Sequence, residues 1–186
     1  TEGLEQAVTV AKGAIDGPIA LTENGATFFA DVAGGQKTGW FFDQRDNRAF
    51  MAGLARRGLK DGPARVLDLY THTGGFGVQA AVAGAGEVVL VDRSELALSL
   101  AERAAAENGV AGRCRFLREE VVAAAERMGN DGERFDVVIA DPPAFVKSRK
   151  DLAAGVRGYR KLARLAARLT LPGGILFISY FSPNVE

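Results

Sequence analysis

Cysteine and histidine are almost missing from this chain: Cys114 and His72 are the only two among 186 residues. A single thiol excludes an intrachain disulfide framework. One cysteine and one histidine also leave no set from which a His/Cys zinc site could be built, so no metal is expected. Long hydrophobic runs are missing as well. No apolar stretch approaches the about twenty residues of a membrane span, and no signal-peptide pattern is read at the start. A cytoplasmic protein without a membrane partner is expected. Net charge is missing too: Lys plus Arg and Asp plus Glu number 23 each. The overall balance is therefore silent on nucleic acid, and only local clustering can speak. The last absence is a Gly-x-Gly-x-x-Gly run, the usual seat of a dinucleotide pyrophosphate.

What is present is apolar residues, 47% of the chain, enough for one packed domain with a small appendage. Residues 1–18 read as irregular. Two runs rich in Phe, Trp, Val and Thr follow, 26–32 and 37–43, with Gly34-Gly35 between them; such a pair reads as a hairpin. Asp43 can cap a helix from near Gln44, whose apolar positions Met51, Leu54, Ala55 and Leu59 recur at helical spacing. From Arg65 strands and helices alternate. The predicted strands are 65–70, 87–92, 113–118, 135–141 and 174–180. Runs such as Val88-Val89-Leu90-Val91 suit strands buried on both faces of a parallel sheet. Ser94 opens one helix and Asn108-Gly109 closes it; Tyr159, Leu162, Ala166 and Leu169 mark the last, ahead of Pro172-Gly173-Gly174. The predicted class is α/β: a Rossmann-like, doubly wound, mostly parallel sheet. Residues 1–43 would form an N-terminal segment with a β-hairpin subdomain, and 44–186 the main domain.

Ligands of such sheets bind beyond the carboxyl ends of the strands. The first loop there is Asp68-Leu69-Tyr70-Thr71-His72-Thr73-Gly74-Gly75-Phe76. Gly74 and Gly75 would let backbone approach a ligand, or simply make a turn. Asp92 ends the next strand about twenty residues later, where a carboxylate can accept from both hydroxyls of a ribose or favour the helix that Ser94 caps. Larger residues, Tyr70-Thr71-His72-Thr73, fill the first loop in place of dinucleotide glycines, and Asp68 is an acid that would repel pyrophosphate. The same acid suits an α-amino group or a sulfonium, both carried by S-adenosylmethionine, although it can also orient the loop. Glu120, or else Glu119, stands where an acceptor could meet an adenine amino group. In Asp141-Pro142-Pro143-Ala144-Phe145 two prolines remove donors, leaving carbonyls and a carboxylate suited to a nucleobase edge, unless the pair is only a stiff turn.

Taken together, 68–76, Val91-Asp92, Asp141 to Phe145 with Lys147-Ser148-Arg149-Lys150, and Arg157-Gly158-Tyr159 resemble the bacterial and archaeal ribosomal RNA large-subunit methyltransferase I family. Gly35-Gln36-Lys37-Thr38-Gly39-Trp40-Phe41-Phe42-Asp43-Gln44-Arg45-Asp46-Asn47-Arg48 is similar to that family's hairpin. The resemblance runs from about Asn24 to Gly174 and implies a class I methyltransferase fold, the cofactor S-adenosylmethionine and ribosomal RNA as partner. The expected cofactor site is Asp68, Tyr70, Thr73, Gly74, Gly75, Phe76, Asp92, Arg93 and Glu120, and the resemblance adds Gln44 and Arg45 near the cofactor or target base. Asp141 and Pro142 would orient the acceptor. It also implies a PUA domain before these residues and further strands after them, neither of which is in this stretch. The family places a nucleophilic cysteine in a Ser-Cys-Ser run after the fifth strand; here Ser179-Tyr180-Phe181-Ser182 puts Phe181 in its place. Addition of a thiolate to carbon 6 is what activates carbon 5 of cytosine. The resemblance thus supports the cofactor and the RNA class while arguing against that carbon as the target.

The last helix carries Arg157, Arg160, Lys161, Arg164 and Arg168 without an intervening acid, shortly after Lys147, Arg149 and Lys150. Lys147, Arg149, Arg157, Arg160 and Arg164 are the expected RNA contacts, against the plainer reading of a solvated helix face. The expected function is methyl transfer to a base of RNA. Its alternatives are an inactive cofactor- or RNA-binding module, or a substrate outside RNA.

Overall fold

The computed structural model describes residues 12–34, 39–57, 62–146 and 149–180, with only the backbone of Arg57 and Arg149. The chain opens on a hairpin, but not the expected one. β1 (Ile19–Glu23) pairs antiparallel with β2 (Ala26–Ala30). The turn is Asn24-Gly25, with φ of 50° and 80°, the doubly positive geometry of a two-residue hairpin turn. The expected partner, 37–43, is not a strand where it is described: residues 39–40 bend and Phe42–Gln44 form one turn of 3-10 helix. Trp40 serves contacts between elements instead of a ladder. Its ring lies 4.8 Å from Phe28, and its indole donates to Glu23 at 3.0 Å.

α1 (Arg45–Arg57) follows, turning Met51 and Ala55 inward. The main sheet is then laid down as β3 (Arg65–Leu69), α2 (Gly75–Ala83), β4 (Glu87–Asp92), α3 (Glu95–Glu107), β5 (Cys114–Arg118), α4 (Val121–Asn130), β6 (Phe135–Ala140), α5 (Leu152–Leu169) and β7 (Thr170–Ile178). All pairings in it are parallel, in the order β5-β4-β3-β6-β7. The α/β doubly wound class is as the sequence implied. β7 starts earlier than expected because α5 hands over to it at Thr170, and Pro172 to Gly174 fall in a register shift against β6.

Alternate residues of each central strand feed two cores. Val66, Val88, Leu90, Val137 and Ile139 pack with α1, α2, α3 and the hairpin's Phe28 and Phe29. Leu67, Leu69, Val89, Val91 and Val138 pack with α4 and α5. The hairpin thus shares a core with the sheet, and Asn108 at the end of α3 bonds both the N–H and the C=O of Thr27, at 2.9 and 2.7 Å. An ion pair inside this layer is fully enclosed: Arg48 donates to both oxygens of Glu23 at 2.6 and 2.9 Å and to the carbonyl of Phe41. Burial raises the Glu23 carboxyl, but the bonds from Arg48 and Trp40 outweigh it and hold the acid below its usual range. No helix among the described residues is long and apolar enough to cross a membrane.

Candidate functional site

Strand order reverses between β3 and β6, so a crevice opens above their carboxyl ends. The loop leaving β3 is wound tightly. Tyr70, His72 and Gly74 all have positive φ, at 63°, 52° and 83°. Three contacts hold it. The Thr71 N–H donates to Val91 O at 3.1 Å, the His72 N–H to Asp92 Oδ2 at 2.9 Å, and the Thr71 hydroxyl to Asp68 Oδ2 at 2.5 Å.

Asp68 lies on the α2 side of β3, buried, and its Oδ2 also receives the Gly77 N–H at 2.8 Å. It therefore does orient the loop and the start of α2. Its other oxygen, Oδ1, and the Thr73 hydroxyl are buried without a partner among the described residues. Burial pushes the Asp68 carboxyl up to about 7 despite the bonds from Thr71 and Gly77, and the nearby Asp141 and Asp92 push the same way. Three carboxylates from three strand ends thus share one crevice, a setting that favours a cation.

Asp92 receives the N–H of Ser94 on Oδ1 while holding His72 on Oδ2, so it ties two loops together. Ser94 caps α3 through Ala97 N, as expected. Burial, with Glu120 and Asp92 acting alongside it and Arg93 opposing, raises the Tyr70 phenol to about 12. Tyr70, Asp92, Arg93 and Glu120 are therefore neighbours. Glu120 has a duty the sequence did not suggest: it is the N-cap of α4, accepting from Val122 N and Ala123 N at 2.9 and 3.2 Å. Glu119 points elsewhere, to Arg127.

The two glycines also have a packing reason. A Cβ on Gly74 would meet Val78 at 2.8 Å and Ala101 at 3.0 Å. On Gly75 it would meet Arg48 at 3.0 Å and Trp40 at 3.4 Å. Both positions are close-packed, Gly74 against Val78 and Ala101 of α3, Gly75 against Arg48 of α1 and Trp40. Phe76 is buried, packed against Phe177 with ring centroids 5.6 Å apart; its side chain belongs to the core.

The Asp141 N–H reaches Leu69 O at 3.4 Å, which sets the Asp141-Pro142 loop beside the first one, and Pro142 is buried. The Phe145 N–H donates to the Tyr159 hydroxyl at 3.1 Å. Rings then succeed one another from Tyr70 through Phe145 and Tyr159 to Tyr180, with centroids 6.3, 4.6 and 5.8 Å apart. In front, Phe41 meets the His72 ring edge-on at 5.7 Å, and Gln44 donates to the Ser179 hydroxyl at 3.2 Å. Gln44 is thus brought to the end of β7. Arg45 is not brought with it: the side chain is exposed and directed to Asn24 in the hairpin turn. Burial keeps His72 below its usual range. Tyr159 and Phe41 were missed as site residues, since each contributes through contacts across the sheet that no local pattern announces.

The basic stripe divides. Lys161 pairs with Glu126 of α4 at 2.8 Å and Arg168 donates to Gly129 O, so α4 supplies partners that the α5 sequence lacks. Arg157, Arg160 and Arg164 are exposed, and none pairs with a described carboxylate. Lys147 and the Arg149 side chain lie outside the described residues, as does Phe181. Cys114 is half-buried on the edge strand, its thiol pushed up by burial to about 11. Among the described residues, no three His, Cys, Asp or Glu converge as a metal-ligand set.

The arrangement fits a nucleoside cation carrying an amino group. Asp68 Oδ1 and the Thr73 hydroxyl are a buried acceptor and donor without a partner among the described residues, and Asp92 stands at the neighbouring strand end, bonded to the His72 N–H.

Comparison with known proteins agrees. Ribosomal RNA large subunit methyltransferase I of Aeromonas salmonicida is 38% identical over 177 residues, covering 94% of this chain and 43% of the relative. Its namesake from Tolumonas auensis is 40% identical over 178 residues, with the same coverage. The chain thus spans less than half the length of these curated relatives. Among solved structures, a SAM-dependent methyltransferase from Agrobacterium tumefaciens superposes with a TM-score of 0.77 at 22% identity, over 93% of this chain and 56% of that one. The M. jannaschii tRNA m1G37 methyltransferase gives 0.68 at 16%, over 95% and 47%. At such identities they show a shared fold. A family model described as S-adenosylmethionine-dependent methyltransferase matches residues 9–186, and the chain belongs to that family.

Proposed function

We propose that this chain binds S-adenosylmethionine above β3 and β4 and transfers its methyl group to a base of RNA, ribosomal RNA first among the candidates. The observation that carries the reading is the crevice of Asp68, Asp92 and Asp141 with its two unsatisfied buried atoms. The cofactor supplies an electrophilic methyl group when bound. Asp68 and Thr73 would hold its amino-acid end, Asp92 its ribose, and Tyr70 with Glu120 and Arg93 would flank its adenine. Asp141 and Pro142, fixed by Leu69, would orient the acceptor, and the chain's task is positioning and exclusion of water. RNA as the acceptor rests on the curated relatives' names and on Arg157, Arg160 and Arg164, which are exposed and without acid partners.

The acceptor atom is read from the nucleophile. A thiol held near 11 on the edge strand is a poor thiolate, and Phe181 stands where the relatives' resemblance implies a cysteine. Transfer to a ring or exocyclic nitrogen therefore fits these residues better than carbon 5 of cytosine. The test is transfer of labelled methyl from the cofactor to total ribosomal RNA, followed by nucleoside analysis. A methylated nitrogen is the expected product. Labelled 5-methylcytosine would overturn the acceptor assignment, and cofactor binding without transfer to any RNA would favour a binding module or another substrate.

A further inference from the structure

The head of α5 carries a feature that the cofactor crevice does not use. An open groove of about 670 Å³ is lined by Lys150, Leu152, Ala153, Val156, Arg157 and Arg160. Three are cations and three are apolar, and none is acidic. The neighbouring Asp151 has a partner of its own, and none of the three cations pairs with a described carboxylate. Leu152 keeps 41% of its surface exposed, which is high for a leucine at the start of a long amphipathic helix.

Helix α5 separates the groove from the acceptor loop. On the opposite face of the same helical turns, a Cβ on Gly155 would collide with Val146 and come within 2.9 Å of the Phe145 carbonyl. One on Gly158 would meet the Phe145 ring at 3.1 Å. Tyr159 adds its bond to Phe145 N. The loop that starts at Asp141 is therefore seated directly on the helix turns that line the groove.

We propose that this groove seats unpaired RNA next to the acceptor nucleotide. The backbone phosphates would lie on Lys150, Arg157 and Arg160, and one base would rest on Leu152, Ala153 and Val156. The assignment rests on the RNA reading of the active site. It follows from charge and shape together: cations alone accept any polyanion, and an apolar floor between them suits a ligand that alternates phosphates with flat uncharged rings. A duplex hides those rings in its stack, so unpaired strands are selected.

The test uses the longest available chain and a fluorescent unpaired oligoribonucleotide, with the matching duplex as competitor, read by anisotropy. S-adenosylhomocysteine affinity serves as the control for folding. The unpaired strand should bind at least tenfold more tightly than the duplex. Arg157→Ala with Arg160→Ala should flatten the slope of log affinity against log salt by about 0.7 per lost contact. Leu152→Ser with Val156→Ser should weaken unpaired RNA roughly tenfold or more, leave that slope unchanged and spare S-adenosylhomocysteine. Equal affinity for duplex, or serine variants that bind RNA normally, would overturn the groove. Methyl transfer to RNA that persists with unchanged KM in all four substitutions would sink the groove and leave the active-site reading standing. Absence of transfer to RNA by the unaltered chain would instead remove the reading on which the groove rests.

Discussion

Asp68 should make cofactor binding depend on pH in a way that can be calculated. Without ligand its carboxyl sits near 7, raised by burial and by Asp141 and Asp92. An ammonium group placed on Oδ1 favours the ionised form, so below that value binding must first release a proton. Between pH 6 and pH 8 the ionised fraction rises from roughly a tenth to nine-tenths. S-adenosylhomocysteine should therefore bind about tenfold more tightly at the upper end, a gain of about 1.4 kcal/mol. Calorimetry in two buffers of different protonation enthalpy should show close to one proton released at pH 6 and almost none at pH 8. Asp68→Asn should abolish the difference, and it also subtracts any titration of the ligand's own amine. The sign for stability is the reverse. A carboxyl raised in the folded state contributes most below its unfolded value near 3.8, and the contribution is lost as pH rises through about 7. The ligand-induced thermal shift should thus grow toward pH 8. Affinity that is flat from pH 6 to 8, or an equal slope in Asp68→Asn, would refute the placement of the amino group at this carboxylate.

Three further outcomes follow from the geometry. Asp92→Ala should weaken S-adenosylhomocysteine by about 1.5–3 kcal/mol in calorimetry, and Asp92→Asn, which keeps one acceptor, by less; unchanged affinity in both would free Asp92 from the ribose. Glu23→Gln strands the enclosed Arg48 guanidinium and should cost about 3–5 kcal/mol in urea unfolding, whereas an exposed pair such as Arg118 with Glu95 should cost under about 1 kcal/mol. Gly77→Ala would bring a Cβ to 2.6 Å from Leu90 and 3.0 Å from Asp68 Oδ2. It should destabilise by about 1–3 kcal/mol and also lower cofactor affinity, because the displaced carboxylate is the one proposed to hold the amino group.

The doubly wound sheet was legible because buried parallel strands write themselves as unbroken apolar runs, as in Val88 to Val91 and Val137 to Ala140. Asp68, Asp92 and Asp141 were legible because the fold puts strand ends at the crevice. The hairpin was misplaced although its signal was present. Asn24-Gly25 is a strong short turn cue, whereas the expectation rested on Gly34-Gly35 and the run 37–43, whose Trp40 serves contacts between elements. Glu120 shows what one dimension leaves out: its capping of α4 appears only once the helix start is known. The packing duty of Gly74 and Gly75 was likewise hidden. A glycine beside a ligand loop and a glycine pressed by Ala101 or Arg48 read identically in one dimension. The Glu23–Arg48 pair and the Phe145–Tyr159 bond join residues 25 and 14 apart, and only the assembled layers bring them together.

The loop from Tyr70 to Gly74 has a kinetic consequence. Two side-chain-bearing residues held at positive φ each cost on the order of 1–3 kcal/mol, and Val91, Asp92 and Asp68 meet that cost before any ligand arrives. A receptor set in advance has little left to rearrange. Association should then follow a single exponential whose rate climbs linearly with ligand concentration, without the plateau that marks a slow reshaping step. The same rigidity makes the loop a poor accommodator. Nucleosides altered at the sugar should be turned away at encounter, because Asp92 cannot follow them without unwinding His72.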